Sequence, residues 1–183
     1  MKQKTIFSFF LGTFLLPLFS FSNSILYVQE GGTGNGTSWS DATGDLQAAL
    51  FVAEFGDQIW VAAGTYFPTT AADRKRFFQI PDGVKVFGGF LGKETQLSQR
   101  DWKKNKTILS GEIGSPDAKD NSFTIVYTKN VSKATLVDGF IIAGGQANKG
   151  NADKYWKKGG GWYNDGSGTG NRSKPTIQNC NFF

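Results

Sequence analysis

The stretch "LVDGFII" at residues 136–142 is matched 40 residues later by "TIQNCNF" at residues 176–182. In each stretch a short apolar run leads to a Gly or an Asn, and a second apolar run follows. In this alignment Gly139 falls on Asn179, and both residue types tolerate the left-handed backbone conformation that a sharp corner requires. The pair therefore predicts a strand–corner–strand unit that the chain repeats.

Short apolar runs of the same kind occur throughout residues 25–183, rich in β-branched and aromatic residues and bounded by Gly, Asn, Asp, Pro or Ser. This pattern is typical of many short strands joined by turns. A chain that winds and turns at each corner stacks its strands in parallel about 4.8 Å apart, with inward side chains in columns. We therefore predict an all-β solenoid of parallel strands, with a small β-sandwich as the alternative.

One segment, residues 43–57, departs from the strand pattern. Its apolar side chains recur at the spacing of one helix face: Leu46, Ala49, Leu50 and Ala53. Thr43 or Asp45 is suited to cap the start of this helix, and Gly56 is suited to end it. We predict an amphipathic helix over residues 45–54 that covers the first end of the solenoid, where strand edges would otherwise be exposed.

The first 24 residues have the pattern of a secretory signal peptide. Lys2 and Lys4 precede the apolar run of residues 6–21, and small serine residues follow it. The apolar run is shorter than the roughly 20 residues of a membrane span. The sequence therefore predicts export, with residues 1–24 as the signal peptide and 25–183 as the folded part.

Composition excludes several kinds of function. The net charge of +5 includes two charges from Lys2 and Lys4, and the remaining +3 is too small an excess to indicate nucleic-acid binding. The chain has no histidine, so it has no histidine-dependent triad and no zinc site of the usual kind. Its single cysteine, Cys180, cannot form an internal disulfide, and we predict that it faces inward as a small apolar residue.

The glycine-rich stretch "EGGTGNGTSW" at residues 30–39 raises the question of a phosphate-binding loop. Gly31 and Gly36 have the first spacing of the P-loop pattern, but Thr37 stands where the lysine belongs. The dinucleotide-binding pattern also fails, because Gly36 comes one residue too early after Gly34. We interpret the stretch as a turn between a first strand and the helix.

Several motifs resemble, in consistent order, the opening of exported bacterial right-handed parallel β-helix proteins of the pectin-lyase-like superfamily: "ILYVQEGGTGNGTSWSDATGDLQAAL", "GDQIWVAAGTYFPT", "DGVKVFGGFLGKET", "RDWKKNKTILSGEI", "VDGFIIAGGQA", "GGGWYN" and "PTIQNCNF". The later motifs are similar to repeats of chlamydial polymorphic outer membrane proteins. The resemblance covers nearly all of residues 25–183 and implies a right-handed parallel β-helix. It also implies a secreted or cell-surface location, with outer-membrane association only through a further C-terminal region.

No second cap is visible in the sequence, and Phe182 and Phe183 fall within a strand motif. We therefore expect residues 25–183 to be the N-terminal part of a longer β-helix domain. The superfamily includes lyases, hydrolases, adhesins and passive stalks, so the resemblance indicates fold more strongly than activity.

A polysaccharide lyase of this fold would need a carboxylate cluster for Ca²⁺ and a basic residue to remove a proton. The candidate carboxylates are Asp117, Asp120, Asp138, Asp153 and Asp165. Arg100 and Arg172 are candidate bases, although we expect Arg100 to pair locally with Asp101. Ca²⁺ is a weak candidate at "DGSGTGN", which begins at Asp165, and a Gly/Ser-rich surface loop is the alternative. These residues form no recognisable catalytic constellation.

Tryptophan rings suggest another role, because an exposed aromatic face can stack on a sugar ring. Trp156 and Trp162 flank a loop insert, and together with Asp165 they are the candidate ligand surface, with packing against the solenoid as the alternative. We predict a non-catalytic, exported surface or adhesion module that binds a glycan or a surface or matrix protein. The alternative is the N-terminal part of a polysaccharide lyase or glycosidase whose catalytic residues lie elsewhere.

Overall fold

The computed structural model describes residues 23–115, 118–148, 157–168 and 172–183, so the predicted signal peptide lies outside it except for Asn23 and Ser24. Within these ranges the chain is mostly β, with one α-helix and three short 3₁₀ turns. The elements are β1 (Ile25–Val28), α1 (Leu46–Val52), β2 (Gln58–Ala62), β3 (Gly64–Tyr66), β4 (Phe78–Gln79), β5 (Lys85–Phe90), β6 (Thr107–Ser110), β7 (Val126–Lys129), β8 (Leu136–Asp138), β9 (Phe140–Ala143), β10 (Trp162–Asp165), β11 (Thr176–Gln178) and β12 (Asn181–Phe182).

The strands form three sheets in which the named strands pair in parallel. The first sheet has the order β1-β2-β5-β8-β11, the second β3-β6-β9-β12 and the third β4-β7-β10. We call a set of consecutive strands, one from each sheet, a rung: β2-β3-β4, β5-β6-β7, β8-β9-β10 and the pair β11-β12. The predicted all-β parallel architecture with one helix is confirmed. A β-sandwich, which is built from antiparallel sheets, does not describe these pairings.

The predicted 40-residue repeat is confirmed by the register of the last two rungs. Val137 pairs with Ile177 in the first sheet, and Ile142 pairs with Phe182 in the second. At the corner between the two strands, Gly139 has φ 88° and Asn179 has φ 50°. The left-handed conformation at both corners explains why Gly and Asn occupy these positions.

The main core contains three columns of inward side chains, one from each sheet, together with the buried face of α1. Successive members of a column are register partners, and all of them except the exposed Ile177 and Phe182 lie in or against one buried cluster. The columns are Leu26, Ile59, Val86, Val137 and Ile177; Tyr66, Leu109, Ile142 and Phe182; and Phe78, Val126 and Trp162. Each fully buried aliphatic or aromatic member contributes roughly 1.5–3 kcal/mol through its removal from water.

A second apolar cluster lies on the outer face of the first sheet. It is built around Trp60, Phe87 and Phe90, with Tyr27 and Trp39 packed against them. The rings of Trp60 and Phe90 stack at 4.7 Å, and Tyr27 meets Trp39 edge-on at 4.9 Å. Trp39 reaches this face because the segment after β1 folds back over the sheet, so the outer surface of the first sheet is also covered.

The predicted helix is present over Leu46–Val52 and begins at Asp45, whose side chain accepts a hydrogen bond from the backbone N–H of Ala48 at 3.0 Å. Its buried residues include Leu46 and Leu50, which pack into the main core as the helix face predicts. The expected end at Gly56 is wrong, because the backbone becomes extended at Ala53. Gly56 instead adopts φ 100° in the following turn.

The glycine-rich stretch after β1 is a turn, as interpreted from the sequence. It folds back so that Thr33 and Thr43 form an antiparallel bridge. A Cβ at Gly34 would collide with the backbone carbonyl of Asp41, so glycine is required there by close backbone approach. Gly36 adopts φ 86°, a left-handed backbone conformation that favours glycine.

Candidate functional site

The described residues form a half-open groove of about 720 Å³. It lies between the N-terminal end of α1 and the segment that connects β3 to β4, residues 67–77. We refer to it as the groove. Its lining comprises residues Glu30, Gly31, Gly44, Asp45, Leu46, Gln47, Thr65, Tyr66, Phe67, Pro68, Thr69, Thr70, Asp73, Lys75, Arg76, Phe77 and Gln79.

Two successive aromatic residues line the groove, and they differ in how far they are exposed. Phe67 leaves 45% of its surface exposed, whereas the preceding Tyr66 is buried in the main core. The alternation of a strand explains this difference, because successive side chains point to opposite faces. The Tyr66 hydroxyl donates to the carbonyl of Ala62 and accepts from the N–H of Glu30, and burial raises the pKa of Tyr66 above its usual range.

The charged groups of the groove are held by defined partners. Asp73 forms an exposed ion pair with Arg76 at 3.3 Å, and Asp45 caps α1. Glu30 Oε2 accepts from the backbone N–H of Thr65 at 3.3 Å. With three carboxylates against two cations, counting Lys75, the lining carries a formal charge of −1.

Gln47 supplies an acceptor that the protein itself does not use. This residue lines the groove from the first turn of α1, and its Oε1 is buried without a hydrogen-bond donor. A buried acceptor without a donor is costly, so this atom is a local source of instability.

The three residues of the candidate ligand surface are only partly described. Trp156 lies outside the described residues. Trp162 belongs to the third core column, packs against the main core, and donates from Nε1 to Thr128 Oγ1 at 2.9 Å. Packing against the neighbouring rungs, the alternative for this residue, therefore accounts for its described contacts. A ligand surface on these residues stays a prediction.

Asp165 ends β10, and both of its carboxylate oxygens accept hydrogen bonds. Tyr127 donates its hydroxyl to Oδ2 and Ser167 donates its backbone N–H to Oδ1, each at 2.8 Å. The hydrogen bonds from Ser167 are the largest cause of a pKa that lies below the usual value for this aspartate. Asp165 thus fixes the start of the loop that follows β10.

The structure corrects the prediction that Arg100 pairs with Asp101. Arg100 Nη2 lies 2.6 Å from Asp138 Oδ2, and Arg100 Nη1 donates to the carbonyls of Gly88 and Asp138. Asp101 instead accepts from the backbone N–H groups of the two lysines that follow it in the chain. Asn179 donates to the second carboxylate oxygen of Asp138 at 2.8 Å. The side chains of Arg100 and Asp138 are only 11% and 7% exposed, and the pair links successive rungs.

The other carboxylates with a shifted pKa are also engaged in local hydrogen bonds. Burial alone would raise the pKa of Glu94, but backbone N–H donors from Leu91, Lys93 and Gly92 outweigh it and hold the pKa below its usual value. Comparable hydrogen bonds hold the pKa values of three aspartates below the usual value: Asp57, Asp82 and Asp120. A general acid needs the opposite shift.

The predicted carboxylate cluster for Ca²⁺ is not found among the residues that the structure describes. They contain no group of three or more carboxylate, cysteine or histidine side chains close enough to hold a metal ion. Two of the predicted candidates, Asp117 and Asp153, lie outside the described residues. Arg172 is exposed, and the candidates Asp138 and Asp165 direct their oxygens to protein donors.

The groove was missed by sequence reasoning because its wall is a connection without periodicity. One signal was available, since "TYFP" places a second aromatic residue directly after an inward one and before a proline. No family model, no curated protein and no solved structure matches the chain. In the part of the chain that the structure describes, no helix has the length and apolar character needed to cross a membrane.

Proposed function

We propose that the three parallel sheets are the faces of a right-handed parallel β-helix. The chain visits the sheets in the same cyclic order in each successive rung, which supports a coil. Connections between parallel strands of one sheet are right-handed in about 98% of cases, which supports the hand. On this proposal α1 covers the first end of the coil, where it packs on β1, β2 and β4.

On this fold we propose a non-catalytic, exported module that binds a carbohydrate in the groove. The observation that carries the proposal is the exposed ring of Phe67 at the rim of a 720 Å³ concavity. A sugar ring presents an apolar face to an aromatic side chain and hydroxyl groups at its edge. The carboxylates that line the groove are suited to accept bonds from those hydroxyl groups.

The charge of the groove favours an uncharged glycan. Its lining has three carboxylates, of which Glu30 and Asp45 have no cationic partner in an ion pair of the described residues. An acidic polysaccharide would place its carboxylates beside these groups, and like charges in proximity disfavour binding.

The test measures retention of the purified chain on immobilised polysaccharides, with neutral glucans and galactans compared with polygalacturonate. We expect binding to a neutral polymer and a loss of about fivefold in affinity for Phe67→Ala, since an aromatic contact contributes roughly 0.5–1.5 kcal/mol. Leu91→Ala is the matched control, because Leu91 is an apolar side chain with 56% exposure that does not line the groove.

Equal binding by Phe67→Ala and wild type, or binding to no polysaccharide, would contradict the proposal for the groove. Release of oligosaccharides from the polymer would instead favour the lyase or glycosidase alternative.

Export is proposed from the signal-peptide pattern and is tested separately. Expression of the full chain in a bacterial host with a periplasm should yield a processed protein that begins at Asn23 or Ile25 by mass. Unprocessed protein in the cytoplasm would argue against it.

A further inference from the structure

One side chain of the groove wall, residues 67–77, is directed to the neighbouring rungs rather than to the groove. Asp73 and Lys75 line the groove, whereas Arg74 between them does not. The hydrogen bonds described for residues 69–73 join residues of the wall to one another. These bonds shape the wall, but they do not attach it to the rest of the molecule.

Arg74 attaches the wall to the connection between β6 and β7 in the second rung. Its Nε donates to the carbonyl of Asn121 at 2.6 Å, and its guanidinium carbon lies 4.1 Å from the centre of the Phe123 ring. The backbone contributes as well, because Phe123 N–H donates to the carbonyl of Arg74 at 2.8 Å. An aromatic face attracts a cation, so three separate contacts hold this residue against the second rung.

The same side chain reaches the connection between β9 and β10 in the third rung. Arg74 Nη2 donates to Asn148 Oδ1 at 2.9 Å and, at 3.3 and 3.4 Å, to the side-chain and backbone oxygens of Gln146. The β6–β7 and β9–β10 connections are also bonded to each other, since Gln146 N–H donates to the carbonyl of Ser122 at 2.8 Å. Arg74 therefore joins the wall to two connections that already hold one another.

We propose that Arg74 is a positioning residue of the groove, which fixes the wall against the second and third rungs before a ligand binds. The inference rests on the glycan function proposed above and adds a source of affinity to it. A ligand that meets a fixed wall does not have to order it, so less of the binding free energy is lost. On this proposal Asn148, which does not line the groove, affects glycan binding through Arg74.

The test is Arg74→Lys, because lysine keeps the charge but loses the planar fork of donors that reaches Asn121 and Asn148 together. The backbone amides of Asp73 and Arg76 donate to oxygens within the wall, and we expect them to exchange with solvent about tenfold or more faster. Affinity for the neutral polymer, glucan or galactan, that retains the wild type should fall about three- to tenfold. Saturating polymer should slow the exchange of both amides again, because the ligand then orders the wall.

Two further variants separate positioning from a general loss of stability. Asn148→Ala removes the nearest acceptor of Arg74 Nη2 at an exposed residue, and it should change exchange and affinity in the same direction but less. Arg100→Lys is the matched control, since Arg100 also bridges two rungs but does not line the groove. It should lower the free energy of unfolding and leave glycan affinity and the exchange of the wall unchanged.

Unchanged exchange of Asp73 and Arg76 in Arg74→Lys would overturn the proposal, and so would faster exchange without a loss of affinity. An equal loss of affinity in Arg100→Lys would also overturn it, because reduced stability would then be the cause. If the wild type binds no polymer while the wall of Arg74→Lys exchanges faster, the glycan function is refuted and the role of Arg74 in fixing the wall is supported.

Discussion

Replacing Arg100 with glutamine removes the charge that joins the loop after β5 to the next rung. Arg100 Nη2 lies 2.6 Å from Asp138 Oδ2, and the two side chains are only 11% and 7% exposed. The substitution leaves the Asp138 carboxylate buried with Asn179 as its one remaining described side-chain donor. It also removes donors from the backbone carbonyls of Gly88 and Asp138.

The size of the effect follows from these contacts. Removing one partner of a buried ion pair costs roughly 3–5 kcal/mol, because the other charge stays buried without compensation. The remaining Asn179 donor offsets part of that loss, whereas the loss of the guanidinium bonds to the two backbone carbonyls adds to it. We therefore expect Arg100→Gln to lower the free energy of unfolding by about 3–4 kcal/mol.

The assay is equilibrium urea unfolding, with Arg76→Gln as the matched control. Arg76 forms an ion pair with Asp73 in which the side chains are 68% and 43% exposed, so its loss should cost less than about 1 kcal/mol. The double variant Arg100→Gln/Asp138→Asn should cost less than the sum of the single variants, because the two residues interact directly. If Arg100→Gln costs no more than Arg76→Gln, the pair does not hold the rungs together and the reasoning fails.

Three further outcomes follow from local geometry. Glu94→Gln should lower the free energy of unfolding, measured in urea, by about 2 kcal/mol, because it removes a charged acceptor of three backbone N–H groups. An unchanged free energy of unfolding would contradict this prediction. Gly34→Ala should cost more than about 2 kcal/mol, because the new Cβ collides with the carbonyl of Asp41, and an unchanged melting temperature would refute it. The pKa values of Asp57 and Asp82 are lower folded than unfolded, so their stabilisation is complete above about pH 5 and is lost as the pH falls through the folded values. An increase in the free energy of unfolding as the pH falls from 5 to 3 would contradict this prediction.

The ladder of core residues could be predicted from sequence because its information is local. A corner at Gly139 or Asn179 and apolar residues on either side suffice to align two rungs, and the register confirms the alignment. The start of α1 was predictable for the same reason, since Asp45 and the apolar spacing lie within one short segment. The end of the helix was not, because the chain becomes extended at Ala53 before Gly56 is reached.

The site residues could not be predicted as readily, because their partners are distant in sequence. Arg100 and Asp138 are 38 residues apart. From the sequence alone, the neighbouring Asp101 is an equally suitable carboxylate partner for Arg100, and only the fold shows that Asp138 lies closer. The groove joins Glu30 and Gln47 to the connection that carries Phe67, which no periodic pattern identifies. Trp162, for which the sequence left both a ligand surface and packing against the solenoid open, occupies a core column because β10 sets its direction.

The spacing between successive rungs shows which part of this chain determines the fold and which part carries candidate functional residues. Register partners Gln58, Lys85, Leu136 and Thr176 in the first sheet are spaced by 27, 51 and 40 residues. The four strands are between 3 and 6 residues long, so most of the variation lies in the connections. These connections carry Phe67 and Arg100, and one of them forms the wall of the groove. Substitutions in a core column should therefore lower the free energy of unfolding. Substitutions at Phe67 should instead weaken ligand binding at an unchanged free energy of unfolding. If Phe67 variants lost stability and binding together, this division would be contradicted.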